Sequence, residues 1–146
     1  MTQIHKTIFI TAPKEKVWDI MLAEQTYKEW AGEFHPGSYY KGEWKEGAEI
    51  DFIGPNNDGM EYGMRSLIKT LRPYEVVEME TLGSLVNDKL DTEDTKWVGI
   101  PENYYFVEKD GGTELEVKTA MPEDVYEDMN MAWDKALAKL KEIVEK

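Results

Sequence analysis

The chain contains no cysteine among its 146 residues. Disulfides, thiolate metal sites and thiol nucleophiles are excluded with it. Histidine is nearly as scarce. His5 lies in the first apolar alternation and His35 in a Pro-Gly turn, so neither pairs with a second His at metal-ligand spacing. No apolar run approaches the roughly 20 residues needed to span a bilayer. The opening Met-Thr-Gln-Ile-His-Lys lacks the apolar core of a signal peptide. These absences predict a soluble cytoplasmic chain with no metal and no cofactor. Positive charge is also in short supply: 17 Lys and Arg stand against 30 Asp and Glu, a formal net charge of −13. Such a surface repels phosphate backbones and anionic membranes, which argues against nucleic-acid and membrane partners. It leaves room for a basic protein partner.

Motifs for covalent chemistry are missing too. Ser38, Ser66 and Ser84 sit in no Gly-x-Ser-x-Gly elbow. The Gly54–Gly59 stretch contains Pro and Asn and opens no helix, so it is not a phosphate-binding loop. Asp88, Asp91, Glu93 and Asp94 lack the spacing of a calcium loop and read as a solvated acidic segment. The polar groups that remain for acid–base work are Tyr105, Arg65, Asp51 and His35, and only burial in a shared cavity would make them catalytic. No catalytic residue is assigned.

Apolar residues make up 41% of the chain and include five Trp, eight Tyr, four Phe and eight Met. That is enough for a single domain, 1–146, with a substantial core. Ile4, Ile8 and Ile10 alternate along a first strand, residues 3–11. Pro13 suits the first position of a helix carrying Val17, Trp18, Met21 and Leu22 on one stripe. A short second helix is expected through Trp30, capped by Thr26 with Glu29 three residues on, and ended by Gly32.

Strands then follow at Ser38–Lys45, Glu49–Gly54, Met60–Arg72, Val76–Val86, Asn103–Lys109 and Thr113–Met121, with a turn at 55–59 and a polar loop at 87–96. A turn at Asp110-Gly111-Gly112 pairs Val107 with Leu115 and Tyr105 with Val117, which directs Tyr105 and Val107 inward. From Pro122 to the end, Val125, Met129, Trp133, Ala136, Leu137, Leu140 and Val144 recur at helical spacing. A helix of some 24 residues is roughly 36 Å long, enough to cross a sheet. The class is α+β, with a curved antiparallel sheet of about six to seven strands.

The order of these signals resembles the SRPBCC (START, Bet v 1-like) superfamily and, within it, the AHSA1 family of homologues of the activator of Hsp90 ATPase. The matching residues are Ala12-Pro13 with Val17-Trp18, Trp30, Gly47 through Phe52, Leu71-Arg72-Pro73 before Val77-Glu78-Met79, Gly112-Thr113 with Leu115, and Trp133 with Leu137. Departures are Ala48 where the family usually has a second Gly, Thr81 where it often has Trp, and a longer polar stretch at Asp88–Lys96.

The resemblance implies a helix-grip fold, the sheet wrapped around the C-terminal helix with two short helices after the first strand. It also implies a small hydrophobic or amphipathic ligand held between sheet and helix. The candidate cavity residues are Trp44, Phe52, Met64, Met79, Tyr105, Val117, Met121, Met129 and Trp133. Two alternatives come with the resemblance: a cyclase- or hydrolase-like enzyme using polar groups in the cavity, and an Hsp90-linked partner protein. The chain would act as a monomer or a homodimer.

Overall fold

The computed structural model describes residues 1–56 and 58–146. In chain order the elements are β1 (Thr2–Ile10), α1 (Lys14–Leu22), α2 (Glu24–Ala31), β2 (Tyr39–Lys41), β3 (Glu49–Pro55), β4 (Glu61–Arg72), β5 (Val76–Val86), β6 (Lys89–Leu90), β7 (Pro101–Lys109), β8 (Gly112–Met121) and α3 (Glu123–Glu145). The architecture is the helix-grip fold. An open antiparallel sheet runs in the order β1-β8-β7-β5-β4-β3-β2, the short β6 adds to β5, and the long α3 lies against the sheet.

The period-two pattern explains why the sheet has an inner face. Val77, Met79 and Thr81 of β5 are buried, as are Leu115, Val117, Thr119 and Met121 of β8, while Glu78, Glu80, Glu114 and Glu116 keep solvent. Against these rows α3 sets Trp133, Ala136, Leu137, Leu140 and Val144, all buried. Burying a side chain such as Leu140 completely stabilises the fold by about 1.5–3 kcal/mol. The strand-to-helix junction is tied down at the same end. The Thr11 backbone N–H donates to Glu145 Oε2 at 2.8 Å, Lys141 Nζ donates to the Phe9 carbonyl at 2.6 Å, and the Thr113 hydroxyl donates to the Ala12 carbonyl at 2.8 Å.

Several local expectations change. Pro13 and Pro122 are the caps before α1 and α3 rather than first helical residues, each with an extended ψ (150° and 145°). Thr26 lies inside α2, and its hydroxyl donates to the Ile20 carbonyl, so it serves the end of α1 and not the start of α2. The two helices are separated by Ala23 alone, which leaves no room for a capping loop. The strand expected at Ser38–Lys45 is only Tyr39–Lys41, because the chain turns at Gly42 with φ +125°, where a Cβ would meet the Glu49 carbonyl oxygen at 2.9 Å. The polar stretch 87–96 contributes β6, paired to Leu85 and Val86. Within the turn expected at 55–59, Asn57 lies outside the described residues; the Asn56 N–H donates to the Met60 carbonyl and the Gly59 N–H to the Asn56 carbonyl.

The largest correction is the register of β7. Lys109 pairs with Gly112, so the loop is the two residues Asp110 and Gly111, with φ of 47° and 78°. Positive φ at both positions matches the tight hairpin turn that Asp-Gly favours. Gly112 belongs to β8 and not to the turn. Tyr104 therefore faces Val117 and Phe106 faces Leu115. The one-residue slip turns the whole strand over: Tyr104 and Phe106 are buried and Val107 is 53% exposed.

Two register shifts bend β4 and β5 around the core. One sits between the pairs Arg65–Gly83 and Ser66–Thr81 and leaves Leu82 as the extra residue, which places Ser84 across from Met64.

Candidate functional site

Helix α3 does not cover the sheet evenly. From Trp133 to Val144 its inner residues are buried, whereas Val125 and Met129 are only half-buried. A cavity of about 590 Å³ opens beside that N-terminal half, a size suited to a small ligand. The sheet supplies one wall through Phe52, Met64, Ser66, Thr81, Ser84, Glu102, Tyr104, Thr119 and Met121. Helix α3 supplies Met129 and Trp133, α2 supplies Tyr27, Trp30 and Ala31, and the segment after α2 supplies Phe34, His35 and Ser38. Asp91, Asp94, Trp97 and Ile100, between β6 and β7, also contribute to the lining.

Several of the aromatic groups in the wall meet edge to face. Tyr27 meets Trp30 at 5.1 Å between ring centroids and 77°. Phe34 meets Trp133 at 4.8 Å and 79°, and Tyr104 meets Trp133 at 6.2 Å and 65°. Close backbone contact forms another part of the wall. A Cβ on Gly63 would lie 2.0 Å from the Phe52 carbonyl oxygen, so only glycine allows β4 to approach β3 there. The His35 ring lies against Gly54, where a Cβ would meet Cδ2 at 2.8 Å, and its Nε2 bonds the Pro55 carbonyl.

The polar chemistry centres on Glu102. It stands on β7 at a position paired with Met79 and Thr119, both inward. Its carboxyl accepts the Tyr104 hydroxyl. Burial pushes the Glu102 carboxyl above the usual carboxylate range, and the Tyr104 hydrogen bond draws it partly back. Burial first, and the Glu102 charge second, push the hydroxyls of Tyr27 and Tyr104 well up. Tyr27, Tyr104 and Glu102 are thus one electrostatic group on the cavity wall. The Thr119 hydroxyl is spent on the Pro101 carbonyl at 2.8 Å. Ser84 Oγ and Trp133 Nε1 are enclosed without a hydrogen-bond partner among the described residues.

Of the residues expected at a cavity, Phe52, Met64, Met121, Met129 and Trp133 line this one. Met79 and Val117 are buried in the core and do not line it. Trp44 is half-buried, donates through Nε1 to the Leu22 carbonyl at 3.1 Å, and packs on Tyr40 and Phe52 away from the cavity. Tyr105 is displaced outright by the β7 register. It lies on the outer face, where its hydroxyl donates to Glu78 Oε2 at 2.7 Å and Lys118 Nζ sits 5.8 Å from the ring centroid. Its hydroxyl is pushed up to about 12, first by desolvation and then by the Glu78 hydrogen bond.

The polar candidates do not converge. Asp51 and Arg65 face each other across β3 and β4 as a two-bond ion pair, 2.8 Å and 3.1 Å, outside the lining, and only His35 reaches the cavity. Sequence reasoning missed Tyr27, Trp30, Phe34, Glu102 and Tyr104. Reading Asp110-Gly111 as a two-residue hairpin would have turned Glu102 and Tyr104 inward. Among the described residues, no three His, Asp or Glu side chains gather as a metal site requires. No helix is long and apolar enough to cross a membrane.

The fold is shared with solved structures. The chain is similar to the Aha1 dimer from Colwellia psychrerythraea, at 20% identity and a TM-score of 0.74, over 99% of this chain and 97% of that one. It is similar to a protein from Arthrobacter aurescens at 12% identity and a TM-score of 0.77, over 98% and 86%. A protein from Chromobacterium violaceum, CV1439, matches at 17% identity and a TM-score of 0.71, over 100% and 99%. At these identities the likeness shows the fold alone. No curated protein matches in sequence. The sequence does match, over residues 11–145, the family described as Activator of Hsp90 ATPase homolog 1-like protein. With nearly the whole chain inside that match and the helix-grip fold in place, this protein belongs to the Activator of Hsp90 ATPase homolog 1-like family.

Proposed function

We propose that this chain binds a small hydrophobic or amphipathic molecule in the cavity between the sheet and the N-terminal half of α3. The observation that carries the reading is the cavity of about 590 Å³, walled by aromatic and Met side chains and holding a single inward carboxyl at Glu102 on the sheet. Apolar walls with few polar groups are the usual makeup of a small-molecule site: the walls supply affinity and the polar group orients the ligand. Met64, Met121 and Met129 adapt to irregular shapes, which suits a ligand with a flexible or fused apolar body.

The test uses N-phenyl-1-naphthylamine, a neutral probe that brightens in apolar surroundings. Wild type takes it up saturably. Met129→Trp, which narrows the space, lowers uptake, and Trp133→Ala alters it. Lys135→Ala, on the exposed face of α3, leaves it unchanged. Equal effects from all three variants, with the fold intact by circular dichroism, would refute the cavity as the site.

A further inference from the structure

The charge around this cavity is one-sided. Its lining carries three carboxyl groups, Glu102, Asp91 and Asp94, and neither Lys nor Arg among the described residues. The lysines nearby are otherwise engaged: Lys96 Nζ pairs with Asp124 at 3.3 Å and Lys41 Nζ with Asp88 at 2.9 Å. His35, the remaining ionisable nitrogen in the lining, is committed through Nε2 to the Pro55 carbonyl. The chain as a whole is at −13. An anionic head group entering this space would be desolvated beside carboxylates with no cationic side chain in the lining to pair with it, which is unfavourable.

The polar groups in the wall point to the opposite charge. Among the described residues Glu102 has one hydrogen-bond donor, the Tyr104 hydroxyl, although a carboxylate can accept about four hydrogen bonds. The rest of its accepting capacity faces a cavity that offers it no protein cation. Around it stand Tyr27, Trp30, Phe34, Tyr104 and Trp133, the aromatic rings of three elements and the segment after α2. Ring faces attract a cation through their quadrupole, and aromatic walls around a carboxylate are the arrangement that recognises ammonium groups. The enclosed Trp133 Nε1 and Ser84 Oγ are sealed beneath the lining and offer no competing donor at its surface.

From this one-signed lining we infer that the ligand carries an ammonium group on an apolar body, the cation resting against Glu102 among the rings of Tyr27, Tyr104 and Trp133. The inference rests on the cavity reading above and specifies the ligand's charge. Asp91 and Asp94, on the segment that closes the lining, favour entry of a cation by the same field. Asp91 Oδ1 also accepts the Glu93 and Asp94 backbone N–H groups at 3.0 and 3.3 Å, which fixes its carboxylate in place.

Three probes with one naphthalene body separate the possibilities by calorimetric titration at pH 7: 2-naphthylmethylamine, which is protonated, 2-naphthylmethanol and 2-naphthoate. The amine is expected to bind at least about tenfold tighter than the carboxylate and at least about threefold tighter than the alcohol. Glu102→Gln keeps the side chain's shape and removes its charge. It should erase the amine's advantage over the alcohol, chiefly by weakening the amine. Should Glu102→Gln fold poorly, the Asp91→Asn/Asp94→Asn pair tests the same field: it lowers the amine's affinity more than the alcohol's. Naphthoate binding as tightly as the amine, or an amine preference that survives Glu102→Gln, would overturn the inference. Saturable binding of the alcohol with no preference for the amine overturns the inference and leaves the cavity reading standing. Failure of all three probes to bind overturns both.

Discussion

With a cavity beside the N-terminal half of α3, the two halves of that helix must answer differently to the same kind of truncation. Leu140 is fully buried against the sheet, and Met129, eleven residues earlier on the same face, is half-buried against the cavity. Leu→Ala and Met→Ala both remove three heavy atoms from a helix interior, and both residues rank just below Ala in helix propensity, so backbone terms nearly cancel. At Leu140 three buried carbons are lost at about 0.8 kcal/mol each. The void left among close-packed neighbours adds about 24 cal/mol per Å³. The expected cost is about 3–5 kcal/mol. At Met129 no new void forms, because the deletion only enlarges an existing one, and the side chain is partly wet already. The expected cost is about 1 kcal/mol.

Urea denaturation read by tryptophan fluorescence measures both, with the slope checked for constancy. Thermal midpoints should fall by roughly 2–4 °C per kcal/mol for a chain of this size. A Met129→Ala cost equal to that of Leu140→Ala would mean that Met129 is packed as core and that the cavity reasoning is wrong.

Two further outcomes follow from Glu102 and its strand. Glu102 has a raised native pKa, so between the ordinary carboxylate range and that raised value the native state holds a proton that the unfolded chain has released. Its contribution to stability therefore falls as pH rises through that window and is constant above it. Glu102→Gln should gain stability relative to wild type as pH rises above the ordinary carboxylate range of about 4, and a difference that stays flat across that rise in denaturation titrations would contradict the assignment. The β7 register separates the two tyrosines: Tyr104→Phe removes a hydrogen bond from a buried hydroxyl to the Glu102 carboxyl and should cost about 1–3 kcal/mol, while Tyr105→Phe removes a half-exposed bond to Glu78 and should cost less than about 1 kcal/mol. The reverse order in the same denaturation assay would restore the opposite register.

Periodicity alone was enough for the elements that carry the fold. A strand with Ile4 and Ile10 on one face, or a helix with Leu137, Leu140 and Val144 on one stripe, can bury its apolar residues in only one way, and the structure buries those residues. The alternation of Val77, Met79 and Thr81 held for the same reason. Where both faces of a segment looked alike, the pattern was silent. In Asn103–Phe106 three aromatics stand in a row, and the choice between Tyr104 and Tyr105 rested on whether Gly112 lies in the turn or in the strand.

The site was legible only in part, because a cavity is a property of what fails to meet. Met129 and Trp133 were visible as the inward stripe of α3, but nothing local says that the helix stands off the sheet at Met129 and closes on it at Leu140. That gap depends on α2 and the segment around Phe34 being placed beside it, on the bulge that sets Ser84 across from Met64, and on Gly63 allowing two backbones to approach. These are contacts between residues far apart in the chain. The sequence by itself determined the elements, their order and the family, because local period and turn chemistry suffice for those. The tertiary structure alone decided that Glu102 stands inside the cavity while Tyr105 stands outside it, because the face a strand presents is set by its pairing partner, and one residue of register reverses it.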